Sequence, residues 1–311
     1  MPTPQSGILP EGNSTACFIV ATVNAGKDAA AQARSGCAAV PDLTREVAAI
    51  DPDAGLASVV AIGPDCWDRM YSGRGRPAAL RPFRARAEGT RQAPATAGDL
   101  LLHIRSERRD LNYVLARKIM AEFGASISIV EVTDGFRYLE NRDLTGFVDG
   151  SENPEGNERA EVALVAQDDP DFAAGSYISM QRYIHNLADW EALPVNEQEA
   201  IIGRTKADDV ELADGVKPPT AHISRVAIEE DGRELEILRH SMPYGDVREA
   251  GLLFIAYAGT PDNFDRMLDR MICTDADGHH DHLLDYTRAV TGCAFFAPSM
   301  EFLGSTRTGN M

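Results

Sequence analysis

Two stretches of this chain repeat one order of elements, and that order restricts the fold more than any single motif does. In the first stretch, "ACFIVATV" has the continuous apolar character of a buried strand, and an Ala-rich segment around 26–50 reads as a helix. "LASVVAIG" (56–63) and "DLLLHIRS" (99–106) follow as strands, "RRDLNYVLARKIMAEFG" (108–124) as a helix and "SISIVEVTDGF" (126–136) as a strand. The intervening "YSGRGRPAALRPFRARAEGTRQAPATAG" reads as a long loop from its Gly, Pro and Arg content. The second stretch begins with the strand "SYISMQRYIHN" (176–186) and a helical segment, 187–206, interrupted at Pro194. The strands "RELEILRHS" (233–241) and "GLLFIAYAG" (251–259), a helix over 260–274 and the strand "CAFFAPS" (293–299) complete it. Both orders are β-α-β-β-α-β, the ferredoxin-like unit. The expected fold class is therefore α+β, with two ferredoxin-like halves built on antiparallel sheets. A length of 311 residues suits two such units, placed at 1–145 and 146–311.

Charge narrows the function. Thirty Lys and Arg against 48 Asp and Glu leave a net charge of −18, which argues against nucleic acid or an anionic membrane as partner. Five scattered cysteines without a CxxC read as reduced thiols rather than a disulfide frame or zinc site. The start "MPTPQSGILPEGNST" shows no export signal, and no apolar run is long enough to span a bilayer, so a cytoplasmic protein is expected.

The candidate chemistry centres on "GFVDGSENP" (146–154), where Asp149 stands between Gly146 and Gly150 in the connection between the halves. Glycines there permit positive φ and close approach of the backbone, so the loop reads as one that aims an acid. A calcium loop fails because Ala160 occupies the position of the closing glutamate. Among seven histidines, the cluster in "DADGHHDHLLD" (275–285) reads as a polar loop entering a helix, since neighbouring side chains seldom converge on one ion. His103 reads as a sheet histidine. His222, in "VKPPTAHISR", follows a stiffening Pro-Pro pair; a lone imidazole is either structural or an axial ligand of haem iron. Arg239 shares the parity of Leu235 and Ile237 in its strand, which gives it a buried face and a need for an anionic partner. That partner is a structural carboxylate, a bound peroxide anion or Asp149.

Taken together, "GFVDGSENP", "IIGRTK", "AHISR", "LRHSMPYG" and "AVTGCAFFAPS" resemble the dye-decolorizing peroxidases, most closely their compact B-type branch, from about residue 5 to 304. The resemblance implies haem b in the C-terminal half, with His222 as the axial ligand of the iron. It implies Asp149 and Arg239 on the opposite, distal face, with Ser241 at a polar position that is often asparagine in the family. Arg204 falls where the family pairs a haem propionate, and Asp285 where it holds an acid on the proximal imidazole. Gly150, Ser151, Glu152 and Phe254 are further implied contacts of the cofactor. A carboxylate on the far imidazole nitrogen fixes the tautomer and raises basicity. A distal acid and arginine supply proton transfer and positive charge for heterolysis of peroxide. Closeness to Arg239 is expected to depress the Asp149 pKa.

The function so implied is a haem peroxidase that reduces hydrogen peroxide through a ferryl intermediate and oxidises phenolic, dye-like or metal donors. The alternative is a haem-handling protein with incidental peroxidase activity; a third reading is a haem-free binding or assembly protein. Expected partners are hydrogen peroxide, a small-molecule reductant and further copies of the chain in a homo-oligomer. Trp67, Trp190 and Tyr71 are candidate surface aromatics for electron exit. The ending "EFLGSTRTGNM" reads as too short to dock the chain inside a protein shell.

Overall fold

The protein is described from a computed structural model covering residues 2–166, 168–230 and 232–307. The end of the "EFLGSTRTGNM" segment, residues 308–311, lies outside the described residues. Ten strands build the main sheet: β1 (Thr15–Val23), β2 (Ala57–Ile62), β3 (Leu100–Ser106), β4 (Ile127–Phe136), β5 (Ser176–His185), β6 (Leu238–Arg239), β7 (Met242–Gly245), β8 (Ala250–Ala258), β9 (Thr287–Ala289) and β10 (Cys293–Ala297). The helices that matter to the site are α1 (Lys27–Ala48), α2 (Arg109–Phe123), α3 (Val195–Ile202), α4 (His222–Val226) and α5 (Asp262–Ile272).

Both stretches adopt one antiparallel order. The first gives β4-β1-β3-β2 and the second β10-β5-β8-β7, with β6 added on β8 and β9 on β5. The two sets do not stay apart. Tyr244 pairs with Gly135 and Phe296 with Ile62, so β7 joins β4, β10 joins β2, and eight strands close into a ring. Closure removes the open edges that would otherwise template association. Alternation then sorts the side chains. In β1, Ala16, Phe18 and Val20 pack in the cluster that also holds Leu253, Ile255 and Tyr257 of β8, whereas Cys17 and Ile19 pack in the cluster beneath α1 and α2. Strands buried on both faces read as continuous apolar runs, and β2 and β3 are buried throughout.

The same parity locates the cavity. On β5, Ile178 and Met180 join the inner cluster, while Ser179, Gln181, Tyr183 and His185 turn the other way and line a space under α4 and α5. Leu252 and Phe254 of β8 line it too. The Arg-rich stretch expected to be a plain loop has a job here. It forms a small hairpin (Arg86–Glu88 with Arg91–Ala93), and its buried Arg86 pairs with Asp265 and Asp269 of α5. Arg81 adds pairs to Asp262 and Asp265, so the N-terminal half fixes the helix that covers the cavity of the C-terminal half. Among the described residues, no helix is long and apolar enough to cross a membrane.

Candidate active site

The cavity encloses about 470 Å³. His222 stands on one wall as the first residue of α4, delivered by a turn in which the Ala221 N–H donates to the Pro218 carbonyl at 3.1 Å. Its Nδ1 lies 2.6 Å from Oδ2 of Asp281, whose carboxylate is fully buried. The second oxygen of Asp281 accepts the Leu283 N–H at 2.9 Å, and its own N–H donates to the Met271 carbonyl at the end of α5. With Nδ1 held, His222 has Nε2 left for the cavity. Apolar side chains of Ile223, Phe254, Met267 and Met271 also line the cavity.

Asp149, Arg239 and Ser241 also line the cavity. Asp149 is set by its loop: its N–H donates to the Asn141 carbonyl at 2.9 Å, and Arg142 ties the loop down through the Gly146 and Lys206 carbonyls. Gly146 and Gly150 take φ of 89° and 90°, values that side-chain-bearing residues rarely adopt, so both glycines are required by the turn. Arg239 is aligned by Asn153. The Asn153 side chain accepts the Arg239 N–H and donates to the Arg239 carbonyl, both at 2.9 Å, in the manner of a neighbouring strand. Among the described residues Arg239 makes no ion pair, and its buried Nε has no hydrogen-bond partner. A half-buried guanidinium whose Nε is shut off from water without a partner is costly unless an anion or a polarised ligand completes the site. Ser241 uses its hydroxyl to accept the Ile255 N–H at 3.3 Å. A second cavity of about 510 Å³, polar and arginine-lined, meets the first at Asp149, Gly150, Arg239 and Ser241.

Burial pushes the Asp149 carboxyl above its usual range, and Asp143 adds to the rise, outweighing the pull of Arg239, His222 and the Gly150 N–H. This corrects the expectation that Arg239 would depress it: dehydration of the carboxylate is the larger effect. Asp143 shows the opposite balance, since burial raises it but hydrogen bonds from His185 and Thr145 hold it below its usual value. Both nitrogens of His185 are engaged, with Thr287 at 2.7 Å and Asp143 at 3.1 Å.

Arg204 follows the left-handed Gly203 that ends α3 and lies on the cavity rim. It donates to Asp209 at 2.7 Å and pairs with Glu152, while Ser151 donates to the other Asp209 oxygen. Gly150, Ser151, Glu152 and Phe254 all line the cavity. Asp285 does not meet His222. Its carboxylate is exposed and lies 3.6 Å from His280, and Asp281 takes the place assigned to it. In an extended segment alternate residues point oppositely, which sends Asp281 inward between His280 and His282. That alternation was the available signal, and Asn153 carried none. The histidine-rich loop also departs from expectation, because His280, His282 and Asp285 converge. Trp67, Tyr71 and Trp190 are not surface residues; all three are almost fully buried.

Against known proteins, a model of the Dyp-type peroxidase N-terminal domain matches residues 5–137, and one of the Dyp-type peroxidase C-terminal domain matches 140–302. A dye-decolorizing peroxidase of Mycobacterium tuberculosis is 42% identical over 299 residues, 95% of this chain and 88% of that protein. The encapsulated DyP-type peroxidase of Mycobacterium smegmatis superposes with a TM-score of 0.94 at 44% identity, covering 98% of both chains. A Rhodococcus jostii RHA1 DypB variant in complex with heme gives 0.93 at 37% identity, covering 97% of this chain and 98% of the other. A peroxidase is thus the class that fold and relatives define. The chain belongs to the Dyp-type, or dye-decolorizing, peroxidases.

Proposed function

We propose that this peroxidase binds haem b in the 470 Å³ cavity, with His222 Nε2 as its protein ligand and Asp149 and Arg239 over the opposite face. The observation that carries this reading is that one cavity gathers both sets of groups. Its lining presents an imidazole backed by a buried carboxylate at 2.6 Å, together with a half-buried acid and an arginine lacking an ion-pair partner among the described residues. The residues fit the group, since a flat apolar macrocycle suits the walls of Ile223, Phe254 and Met271, and its iron suits the free imidazole nitrogen. When bound, haem supplies the iron at which hydrogen peroxide is reduced to water. Asp281 keeps the proton on His222 Nδ1 and makes the ligand more basic. Asp149, when ionised, accepts a proton from one peroxide oxygen at its carboxylate and returns it to the other. Arg239, permanently cationic, stabilises the negative charge that develops on the departing oxygen. Ser241 holds a polar place beside them. Arg204, Glu152 and Ser151 form the rim where a propionate would exchange partners with Asp209.

The arrangement of the halves supports two ferredoxin-like units, divided between β4 and β5, with haem in the second. Hydrogen peroxide and a small-molecule reductant are the substrates, and self-assembly into a homo-oligomer goes with this reading. Five free cysteines, four of them buried, support a reducing, cytoplasmic setting. The test is the absorption spectrum of purified haem-loaded protein before and after one equivalent of peroxide, together with His222→Ala. Loss of the five-coordinate spectrum in the variant is expected. A variant that keeps it without added imidazole overturns the assignment.

A further inference from the structure

A second group of metal-ligating side chains lies outside the cavity, on the turn that holds Asp281. Asp281 has extended backbone (φ −76°, ψ 111°) and caps a 3-10 turn over His282–Asp285. Residues on either side of an extended position point the same way, so His280 and His282 leave together on the face opposite the buried Asp281. In a 3-10 turn, positions i and i+3 eclipse, which stacks Asp285 over His282. The two rules bring three residues to one spot. One ligand atom from each of His280, His282 and Asp285 lies within 4.8 Å of the others, and the His280 and His282 ring centroids are 4.9 Å apart. Among the described residues Nε2 of His280 is buried with no hydrogen-bond partner, 3.6 Å from Asp285 Oδ1. Two ligands on a tetrahedral zinc, each about 2.0–2.1 Å from the ion, stand roughly 3.3 Å apart.

We propose that His280, His282 and Asp285 bind a divalent metal of the zinc class, with water completing the coordination. Two imidazoles and one carboxylate match zinc better than magnesium or calcium, which prefer all-oxygen sets. The metal would act as a clip. The His282 N–H donates to the Thr220 carbonyl, two residues before His222, and Asp281 bonds the His222 ring, so the clipped turn is the one that orients the proposed haem ligand. The neighbouring group Asp275, Asp277 and His279 is a poorer candidate. Asp275 already accepts the N–H groups of Asp277 and His279 and pairs with Arg225 at 2.7 Å.

The test uses tag-free, haem-loaded protein stripped of loose metal and dialysed against zinc, with zinc and iron counted separately. Wild type is expected to take up one zinc beyond its haem iron. His280→Ala with His282→Ala should weaken uptake about tenfold or more, whereas Asp275→Asn with Asp277→Asn should leave it unchanged. Zinc should also protect His280 and His282 of the wild type from diethyl pyrocarbonate, read by peptide mass, and slow amide exchange over 281–286. Absence of zinc uptake and protection in the wild type overturns the proposal. So does a folded His280/His282 double variant that binds zinc as the wild type does. If the double variant does not fold, protection in the wild type decides.

Discussion

Replacing Asp281 by asparagine tests the link between His222 and its carboxylate with almost no change of volume. The carboxylate has two jobs, accepting from His222 Nδ1 at 2.6 Å and from the Leu283 N–H at 2.9 Å, and it is fully buried. Asparagine can keep its oxygen on Leu283, but then its NH2 faces Nδ1. The imidazole would have to accept there and carry its proton on Nε2, the nitrogen that faces the cavity. A protonated Nε2 has no lone pair for iron. The hydrogen bond lost is one to a charged group, worth about 1.5–3 kcal/mol. At 1.4 kcal/mol per decade, haem affinity should fall roughly ten- to a hundredfold, the range usual for groups that support a metal ligand. The assay is a haem titration of apoprotein, followed at the Soret band in metal-chelated buffer, with Asp285→Asn as control. Asp281→Asn within twofold of wild type, or an equal loss in Asp285→Asn, would refute the reasoning.

Further outcomes follow from the opposite side of the cavity. Arg239→Leu should slow the reaction with peroxide about a hundred- to a thousandfold at neutral pH, and more than Asp149→Asn does; stopped-flow rates reversing that order by tenfold would make the carboxylate the principal catalyst. Because burial raises the Asp149 pKa, its ionised fraction falls with decreasing pH sooner than that of an ordinary aspartate. The acid limb of the wild-type rate profile should therefore lie at higher pH than an unperturbed aspartate would give, and Asp149→Asn should flatten it. Stability has its own sign. The folded state takes up this proton more readily than the unfolded chain, so the Asp149 charge is destabilising above its folded pKa and that penalty fades as pH falls through it. Asp149→Asn should thus raise the urea midpoint at neutral pH and lose the advantage in acid; an unchanged neutral midpoint would contradict the buried-charge account. Asn153→Ala removes both side-chain bonds to the Arg239 backbone and should cost about 1–3 kcal/mol in urea unfolding while slowing the peroxide reaction. Stability and rate both unchanged would show that Asn153 does not align Arg239.

Periodicity and turn chemistry were enough to place most of the main elements, because strand and helix patterns are local. β1 to β5 and helices α1, α2 and α5 stand close to where the apolar runs put them. The stretch 233–241 was less legible: only Arg233–Glu234 and Leu238–Arg239 pair as strand, and between them the Leu235 N–H bonds the Ile228 carbonyl while the Glu236 carbonyl accepts from the Asn263 side chain, contacts that no local pattern displays. Asp149, Arg239 and His222 were nameable because each stands in a segment whose residue types are unusual for packing alone. Tertiary structure decided the rest. Ring closure rests on single pairs, Tyr244 with Gly135 and Phe296 with Ile62, between strands far apart in sequence, and no local pattern encodes such a meeting. The acid on His222 is Asp281 rather than Asp285 because backbone direction, not composition, chooses which acid of a loop turns inward. The Asp149 pKa moves up because burial depends on every segment that excludes water around it, whereas the sequence displays only the charge of Arg239.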